Sequence, residues 1–596
     1  MEKEMAGRIA VAIADNIISP LGLTSEENYM AVKDGRTGLA RYTGQWGLPD
    51  PFMAALIDRE SLPSLPDEEG LTIFEKMVIL SIRQALSQCD VDVTSERTLL
   101  ILSTTKGNVE LLGKSTTQRC LTPSCPLLGE AAKTIASYLG NPNLPIVVSN
   151  ACISGVCAQI EASRLLATGR YDHAIVCGAD VLSPFIVSGF QSLKALTDEP
   201  CRPFDIDRTG INLGDAAATI IYRGVAADAL PSGAWALVKG AVRNDAHHIS
   251  SPSPTGDGCY NALRYVMQGT KEEDIAFINA HGTATLFNDE MESVAIFRAG
   301  LSQIPVNSLK GYFGHTMGAA GILETIISMR ALNEGIILPT KGYECLGVSK
   351  KINIAAESGH TDKRSFVKMM SGFGGCNAAI LFSGQWRVDR YDYQTSAETS
   401  DESNQNCPLS TLHYPLHTQA EVEITTEGIL LNGQRLETSG NGSEMLTDAY
   451  RRYVGDYPKF FKMDGLSRLG FIASELILED LNVPRDDRAV ILFNRSGSIE
   501  ADVHYQKTIS DPDNFFPSPS VFVYTLPNIV TGEIAIRNKY QGETSFFVLE
   551  HEDQPTIQAM IEASFEDEGT TSVLAGWVDY TDAHHFEARM KIIIKE

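Results

Sequence analysis

From Ile9 to about Gly384 the chain alternates short apolar runs with longer stretches in which apolar residues recur at helical spacing. "TLLILS", "PIVVSN", "HAIVCGAD", "AATIIY" and "IAFINAHG" are continuous enough to be buried strands, and the segments between them predict helices that cover the sheets. The class this implies is α/β. Pro145 to Val148 predicts one such strand, while Ile153, Val156, Ile160 and the pair Leu165/Leu166 predict a helix ending at Gly169. Cys152 falls where the period changes, at or near a helix N-terminus. There the unpaired N–H groups and the helix dipole favour a thiolate. The same residue also reads as a small buried hydrophobe.

The polar run "SAETSDESNQNCPLS", Ser396 to Ser410, breaks the rhythm and predicts a linker, placed at 391–410. Beyond it the pattern returns. "FEKMVILSIRQALSQCDVDVTSERTLLILSTTKGNVE", from Phe74, lies beside "FKMDGLSRLGFIASELILEDLNVPRDDRAVILFNRSGSIE", from Phe461; both run helix, acidic turn, Arg, strand, then a Gly loop ending in Glu. "GEAAKTIASYLG" pairs with "GEIAIRNKYQG", and "QIEASRLLATGRYDHAIVCGADVL" with "MIEASFEDEGTTSVLAGWVDYT", in the same order. Residues 411–596 therefore predict a second, diverged copy of the region around Cys152. No cysteine occurs from Pro408 onward, and "VLEHEDQ" stands where the first copy has "SNACISG". This copy is expected to be inert. As half a fold it should leave apolar surface to pack on the catalytic domain or on a partner, in a structural or docking role. His584 and His585 read as solvated surface.

At 596 residues two or more core units are expected, and 43% hydrophobic with 8% aromatic content suits a soluble enzyme. Neither an 18-residue apolar run nor a basic leader with a cleavage site is present, so a cytoplasmic location is expected. The 11 cysteines show no CxxC pair or compact Cys/His spacing, which argues against disulfides and a structural metal. A net charge of −26 disfavours nucleic acid and anionic membrane as partners. An acidic partner would need a local basic patch.

Two histidines follow strand ends: His281 in "INAHGTATLFNDEMES" and His315 in "VNSLKGYFGHTMGAAGILE". α/β folds put reacting groups at such positions. With these, "NACISG", "DIDRTGINLGDAAA", "NAHGTATLFND", "KGYFGHTMGAAG" and "SGFGGCNAAILF" resemble the β-ketoacyl-acyl carrier protein synthases, thiolase-fold condensing enzymes of fatty acid and polyketide synthesis, over about residues 8 to 384.

The resemblance implies duplicated αβαβα layers in a catalytic domain at 1–390, with halves at about 8–224 and 225–384. It implies decarboxylative condensation of an acyl group on Cys152 with malonyl-carrier protein, the thiol being the nucleophile. Nε2–H groups of His281 and His315 would hold the enolate oxygen, and the backbone N–H groups of Cys152 and Phe373 the acyl oxyanion. Lys310 and Glu324 would support His315, and Gly372, Phe373 and Gly374 would form a gating loop. Asp289 and Glu292 also match family positions, although solvation explains single carboxylates equally. Cys376, Ile211 and Asn212 depart from the family pattern, which bears on chain length more than on reaction type.

Arg208 is implied in docking the acyl carrier protein. A homodimer, or a pair with a homologous synthase or chain-length partner, is expected. No cofactor or metal is expected, since substrates ride on the carrier's phosphopantetheine arm. The rival reading is a non-catalytic chain-length or scaffold partner, which would lack the cysteine. A thiolase would need a second catalytic cysteine, and a chain-initiating synthase a Cys-His-Asn set. Acyl identity and pathway are not legible.

Overall fold

The computed structural model describes residues 7–113, 125–385, 415–479, 481 and 483–595; the expected linker at 391–410 lies outside them. The strands that matter are β1 (Arg8–Ile18), β2 (Thr98–Ser103), β3 (Ile146–Val148), β4 (His173–Asp180) and β5 (Ala216–Ala226) in the first unit. The second has β6 (Trp235–Asn244), β7 (Ile275–Asn279), β8 (Pro305–Asn307), β9 (Ser365–Gly372) and β10 (Cys376–Ser383). The third has β11 (Leu416–Thr425), β12 (Arg488–Asn494), β13 (Thr544–Val548), β14 (Ser572–Asp582) and β15 (His585–Lys595).

All three units share one strand order. In the first it is β3-β2-β4-β5-β1, with the β2 pairings parallel and the β5 pairings antiparallel. The second runs β8-β7-β9-β10-β6 and the third β13-β12-β14-β15-β11, with the same orientations. The continuous apolar runs account for the central strands, since every residue of β2, β12 and β13 is buried.

Helices follow the same plan. α1 (Ile73–Leu86) opens with a capping box between Thr72 and Glu75 and lies on the outer face of the first sheet. After β3 comes α3 (Ser154–Ala167), preceded in the chain by α2 (Leu128–Leu139) and followed by α4 (Pro184–Ser192). In the second unit α5 (Asp257–Met267) and α6 (Leu286–Arg298) form the opposite outer layer, and α7 (Ala320–Asn333) packs on α3 between the two sheets. This is the layered αβαβα arrangement that the motifs implied.

The third unit carries α8 (Gly465–Ile477), α9 (Ile499–Ile509), α10 (Pro519–Tyr524), α11 (Ile529–Asn538) and α12 (Gln554–Ser564). Asp553, in "HEDQ", caps α12 by accepting from Thr556 N–H at 2.9 Å. β13 pairs antiparallel with β3, placing Phe547 against Val148 and Val548 against Val147, and α12 packs against α3. The third sheet thus continues the first, and one apolar cluster runs through both.

Ion pairs fasten the contact, with most of the cations on the catalytic side. Arg164 grips Glu543 at 2.8 and 3.1 Å, Arg243 grips Asp567 at 2.6 and 3.1 Å, Lys106 meets Asp502 at 3.0 Å, and Lys133 meets Glu550 at 2.6 Å.

The apolar surface expected of this half-fold packs in part on the catalytic unit, while its other face is not apolar throughout. On the side where the first unit receives α7, β11 and β15 present Glu421, Glu423, Arg589 and Lys591 around a groove of about 240 Å³ that also holds Trp577. Arg589 pairs with Glu552 at 2.6 Å, Glu587 at 2.9 Å and Glu423 at 3.4 Å. Charged alternate positions let this half-sheet meet water without a covering layer. His584 and His585 sit exposed at the β14–β15 turn, His585 bonded to Asp582 at 2.9 Å. No helix among the described residues is long and apolar enough to cross a membrane.

Candidate active site

The turn that carries Cys152 is a single 3₁₀ turn, Ala151–Ile153, running into α3. Ser154 ties it by accepting from Asn150 N–H at 2.7 Å and donating to Ala151 O at 2.6 Å. Ala151 has φ 49°, a left-handed conformation that costs a residue with a Cβ about 1–3 kcal/mol. Ala284, three residues past His281, and Met317, two past His315, take φ of 62° and 48°. Strain of one kind therefore lies beside all three candidate residues.

Sγ of Cys152 and one ring nitrogen each of His281 and His315 lie within 4.8 Å of one another. The imidazole rings stand 5.0 Å apart and nearly perpendicular, at 80°. His315 accepts from Met317 N–H at Nδ1, 3.3 Å, which puts its proton on Nε2; that Nε2 has no partner among the described residues.

Burial is the main reason both histidines are held well below their ordinary pKa, with the positive charges of Lys310 and Lys368 adding to it. The imidazoles are neutral. Both lysines converge on Glu324: Lys310 on Oε1, and Lys368 on Oε2 at 2.6 Å with Ala280 O at 3.2 Å. Burial would raise Glu324, but the two cations hold it below the usual carboxylate range. Lys368 itself is brought down to about 8, chiefly by burial.

Burial pushes the Cys152 thiol up to about 12, against the pull of Lys310. The helix start does not make a resting thiolate here: desolvation of a buried sulfur outweighs the dipole, and the thiol keeps its proton until it reacts.

Asp289 and Glu292 are not solvated. Glu292 accepts from His281 N–H and Gly282 N–H, both at 2.7 Å, and Asp289 from Phe204 N–H at 2.7 Å and Thr283 N–H at 3.0 Å, so the two carboxylates build the His281 loop. Asn212 takes His315 N–H on its carbonyl at 2.7 Å. Asp180, which carried no signal beyond the end of an apolar strand, joins the Thr104–Lys106 loop to Gly318 N–H at 2.8 Å.

The gating-loop residues lie against the nucleophile. A Cβ on Gly372 would stand 3.2 Å from Cys152 N, so a side chain there would push the loop away. Phe373 stacks on Phe190 with centroids 6.4 Å apart, and Phe190 meets Phe522 of the third unit at 5.6 Å. Cys152, Ile186, Phe190, Phe373, Phe522 and Lys106 line a cavity of only about 20 Å³.

Arg208 is corrected. It is 7% exposed, and its guanidinium donates to Asp205 O at 2.8 Å, Gly347 O at 2.6 Å and Leu286 O at 3.3 Å. A side chain spent on backbone carbonyls is not part of an exposed basic patch.

Family models for the β-ketoacyl synthase N-terminal and C-terminal domains match residues 95–224 and 235–344. The 3-oxoacyl-[acyl-carrier-protein] synthase 2 of Vibrio cholerae is 29% identical, the match covering 63% of this chain and 99% of that protein. A ketosynthase from Xenorhabdus doucetiae, solved in complex with its chain length factor, is 25% identical over 64% of this chain and 99% of its own, with a TM-score of 0.57. The PfaC keto synthase–chain length factor shares only 14% identity, but its fold covers 99% of this chain and 78% of its own with a TM-score of 0.73. Cys152 lies in the first matched domain and His281 and His315 in the second, so residues 95–344 carry the N-terminal and C-terminal domains of the β-ketoacyl synthase family of thiolase-fold condensing enzymes.

Proposed function

We propose that this enzyme joins an acyl group held on Cys152 to the two-carbon unit of malonyl-carrier protein, forming a β-ketoacyl-carrier protein with loss of carbon dioxide. The observation that carries this reading is the meeting of one thiol with two neutral imidazoles within 4.8 Å, beside a glycine loop. The Cys152 thiol attacks the incoming thioester, its proton passes to the departing carrier thiol, and a thioester on Sγ results. Malonyl thioester then loses carbon dioxide, and the enolate oxygen takes hydrogen bonds from His281 and from Nε2–H of His315. The enolate carbon attacks the acyl carbonyl, whose oxyanion is held by Cys152 N–H and Phe373 N–H, and the Cys152 sulfur leaves as a thiolate that takes a proton from solvent to restore the thiol. Buried neutral donors suit an enolate because they need no reorganisation when its charge appears. No protein-bound cofactor or metal enters the scheme.

Residues 416–595 supply, in this reading, a built-in companion for the catalytic unit. Support comes from the β3–β13 pairing and from Phe522 in the cavity wall. The fold-level match over 99% of the chain to a keto synthase–chain length factor agrees with it, as does a separate chain length factor on the Xenorhabdus ketosynthase. The natural partner that delivers substrate is an acyl carrier protein, as the name of the Vibrio relative suggests.

Intact-protein mass spectrometry tests the reaction. Incubation with an acyl-carrier protein should add one acyl mass at Cys152, malonyl-carrier protein should remove it, and Cys152→Ala should show neither step while remaining folded. Acylation of the alanine variant would reject the assignment.

A further inference from the structure

Asn528 stands just ahead of α11 in the third unit and reaches into the catalytic unit. Its Nδ2 donates to the carbonyl of Phe373 at 2.8 Å and lies 3.7 Å from Cys376 Sγ. The side chain is 1% exposed, and its Oδ1 has no partner among the described residues. An amide buried with its acceptor unsatisfied is a poor choice for packing alone; a leucine would fill the space without that penalty. What the asparagine provides is the donor.

The loop it holds is closely fitted. Gly374 and Gly375 take φ of 92° and 71°, and a Cβ on Gly374 would stand 2.7 Å from Asn528 Nδ2. One on Gly532, in α11, would stand 2.6 Å from Gly374 O. From the other side Gly374 N–H donates to Ile249 O at 2.7 Å, and Asn244 Nδ2 donates both to Gly374 O at 2.9 Å and to Thr544 Oγ1, in β13, at 3.0 Å.

We infer that Asn528 is a positioning residue for the acyl half of the reaction. By fixing the Phe373 carbonyl it sets the orientation of residue 373, so that the Phe373 N–H is aimed at the acyl carbonyl on Cys152 and its ring closes the cavity. The inert unit thereby supplies a hydrogen bond that the catalytic loop needs. The inference rests on the reading of Phe373 as an oxyanion donor given above.

Two variants test it. Asn528→Leu keeps volume and removes the donor. Asn528→Asp keeps shape, but as a carboxylate it turns an acceptor toward the Phe373 carbonyl; once protonated, it donates again. The groups around that position are the Cys376 thiol, with Cys152, Cys157 and Asp245 near it on the catalytic side, and Lys106 on Thr525 O on the other. Burial should place the new carboxyl above its ordinary pKa.

Acylation of Cys152, followed by intact mass, should fall about tenfold in Asn528→Leu at every pH, a fraction of what losing an oxyanion donor outright costs. Asn528→Asp should be equally slow at pH 8 and recover toward the parent rate as pH falls to 5.5. Carbon dioxide release from malonyl-carrier protein, which uses the histidines, should change by less than about twofold. An acylation rate unchanged in the leucine variant overturns the inference. So does equal loss of both half-reactions, or an aspartate variant without acid recovery. Failure of the unsubstituted enzyme to acylate Cys152 would instead reject the proposed reaction.

Discussion

Arg243, next to last in strand β6, forms a two-pronged ion pair with Asp567 of the third unit, at 2.6 and 3.1 Å, with both side chains buried. Its guanidinium also lies 5.0 Å from the Tyr265 ring. The bond joins residues 324 positions apart in one chain.

Breaking one partner of such a pair leaves a buried charge uncompensated, at a cost of about 3–5 kcal/mol. Arg243→Met is therefore expected to loosen the contact between the units, seen as a lower urea midpoint and faster limited proteolysis. The double variant Arg243→Met with Asp567→Leu should regain most of the loss. If the double variant is no better than the single, the charge is not the source of the effect.

Lys368 and Lys310 together place two cations on one carboxylate beside both histidines. Protonating His315 would force Nδ1 to give up the Met317 N–H bond, so the neutral ring is the working form. With both pKa values held well below 6.5, malonyl decarboxylation should stay level from pH 8 to below 6.5. In Lys368→Met one cation is gone, the histidines rise toward their ordinary range, and the acid limb should move to higher pH. A profile identical to the parent's would show that Lys368 does not act on the rings. Because the folded-state values are depressed, the stability these neutral histidines contribute is present above pH 6.5 and lost as pH falls below it.

Phe522 closes the cavity next to Cys152, its ring lying on Gly189 where no side chain would fit. A space of about 20 Å³ admits little more than one water, so a long acyl chain must displace this wall. Phe522→Ala should shift the preferred acyl length upward in a competition among short- to medium-chain acyl thioesters, read as the masses found on Cys152. An unchanged distribution would direct the chain elsewhere.

Glu161 is buried in α3 with one oxygen unpartnered and Arg164 3.9 Å from the other; burial raises its pKa to about 8. The folded state thus holds a proton that the unfolded chain releases near pH 4.5, so this group's contribution to stability falls as pH rises from about 4.5 to 8. The slope is about 1.4 kcal/mol per pH unit for one proton. Glu161→Gln should flatten it, gaining on the parent in thermal melts at pH 8 and matching it near pH 5. A constant difference between the two across that range would show that Glu161 does not titrate as stated.

The strand-and-helix rhythm, the order Cys152, His281, His315 and the recurrence of the first unit's pattern from Phe461 were determined by the sequence alone, whereas the edge strand β11, in a stretch expected to be less regular, was not. Each is written in contiguous runs, where side-chain period and small-residue turns follow from the local backbone. The tertiary structure decided the rest. Lys368 sits in "SFVKMMSG" and Lys106 in "STTKGN", where a lone cation reads as an outward-facing residue; only the packing of α7, α9 and α10 over them makes both buried. Arg208 shows the converse, a cation with a surface reading whose two terminal nitrogens donate to carbonyls from three separate segments. Glu421, Glu423, Arg589 and Lys591 acquire meaning only once no second layer covers that face. The edge of β3 is indistinguishable in sequence from any other edge, and its partner β13 lies some four hundred residues away. A backbone edge has no side-chain code for its mate; which strand completes it is settled by the surfaces and charges that arrive with that strand.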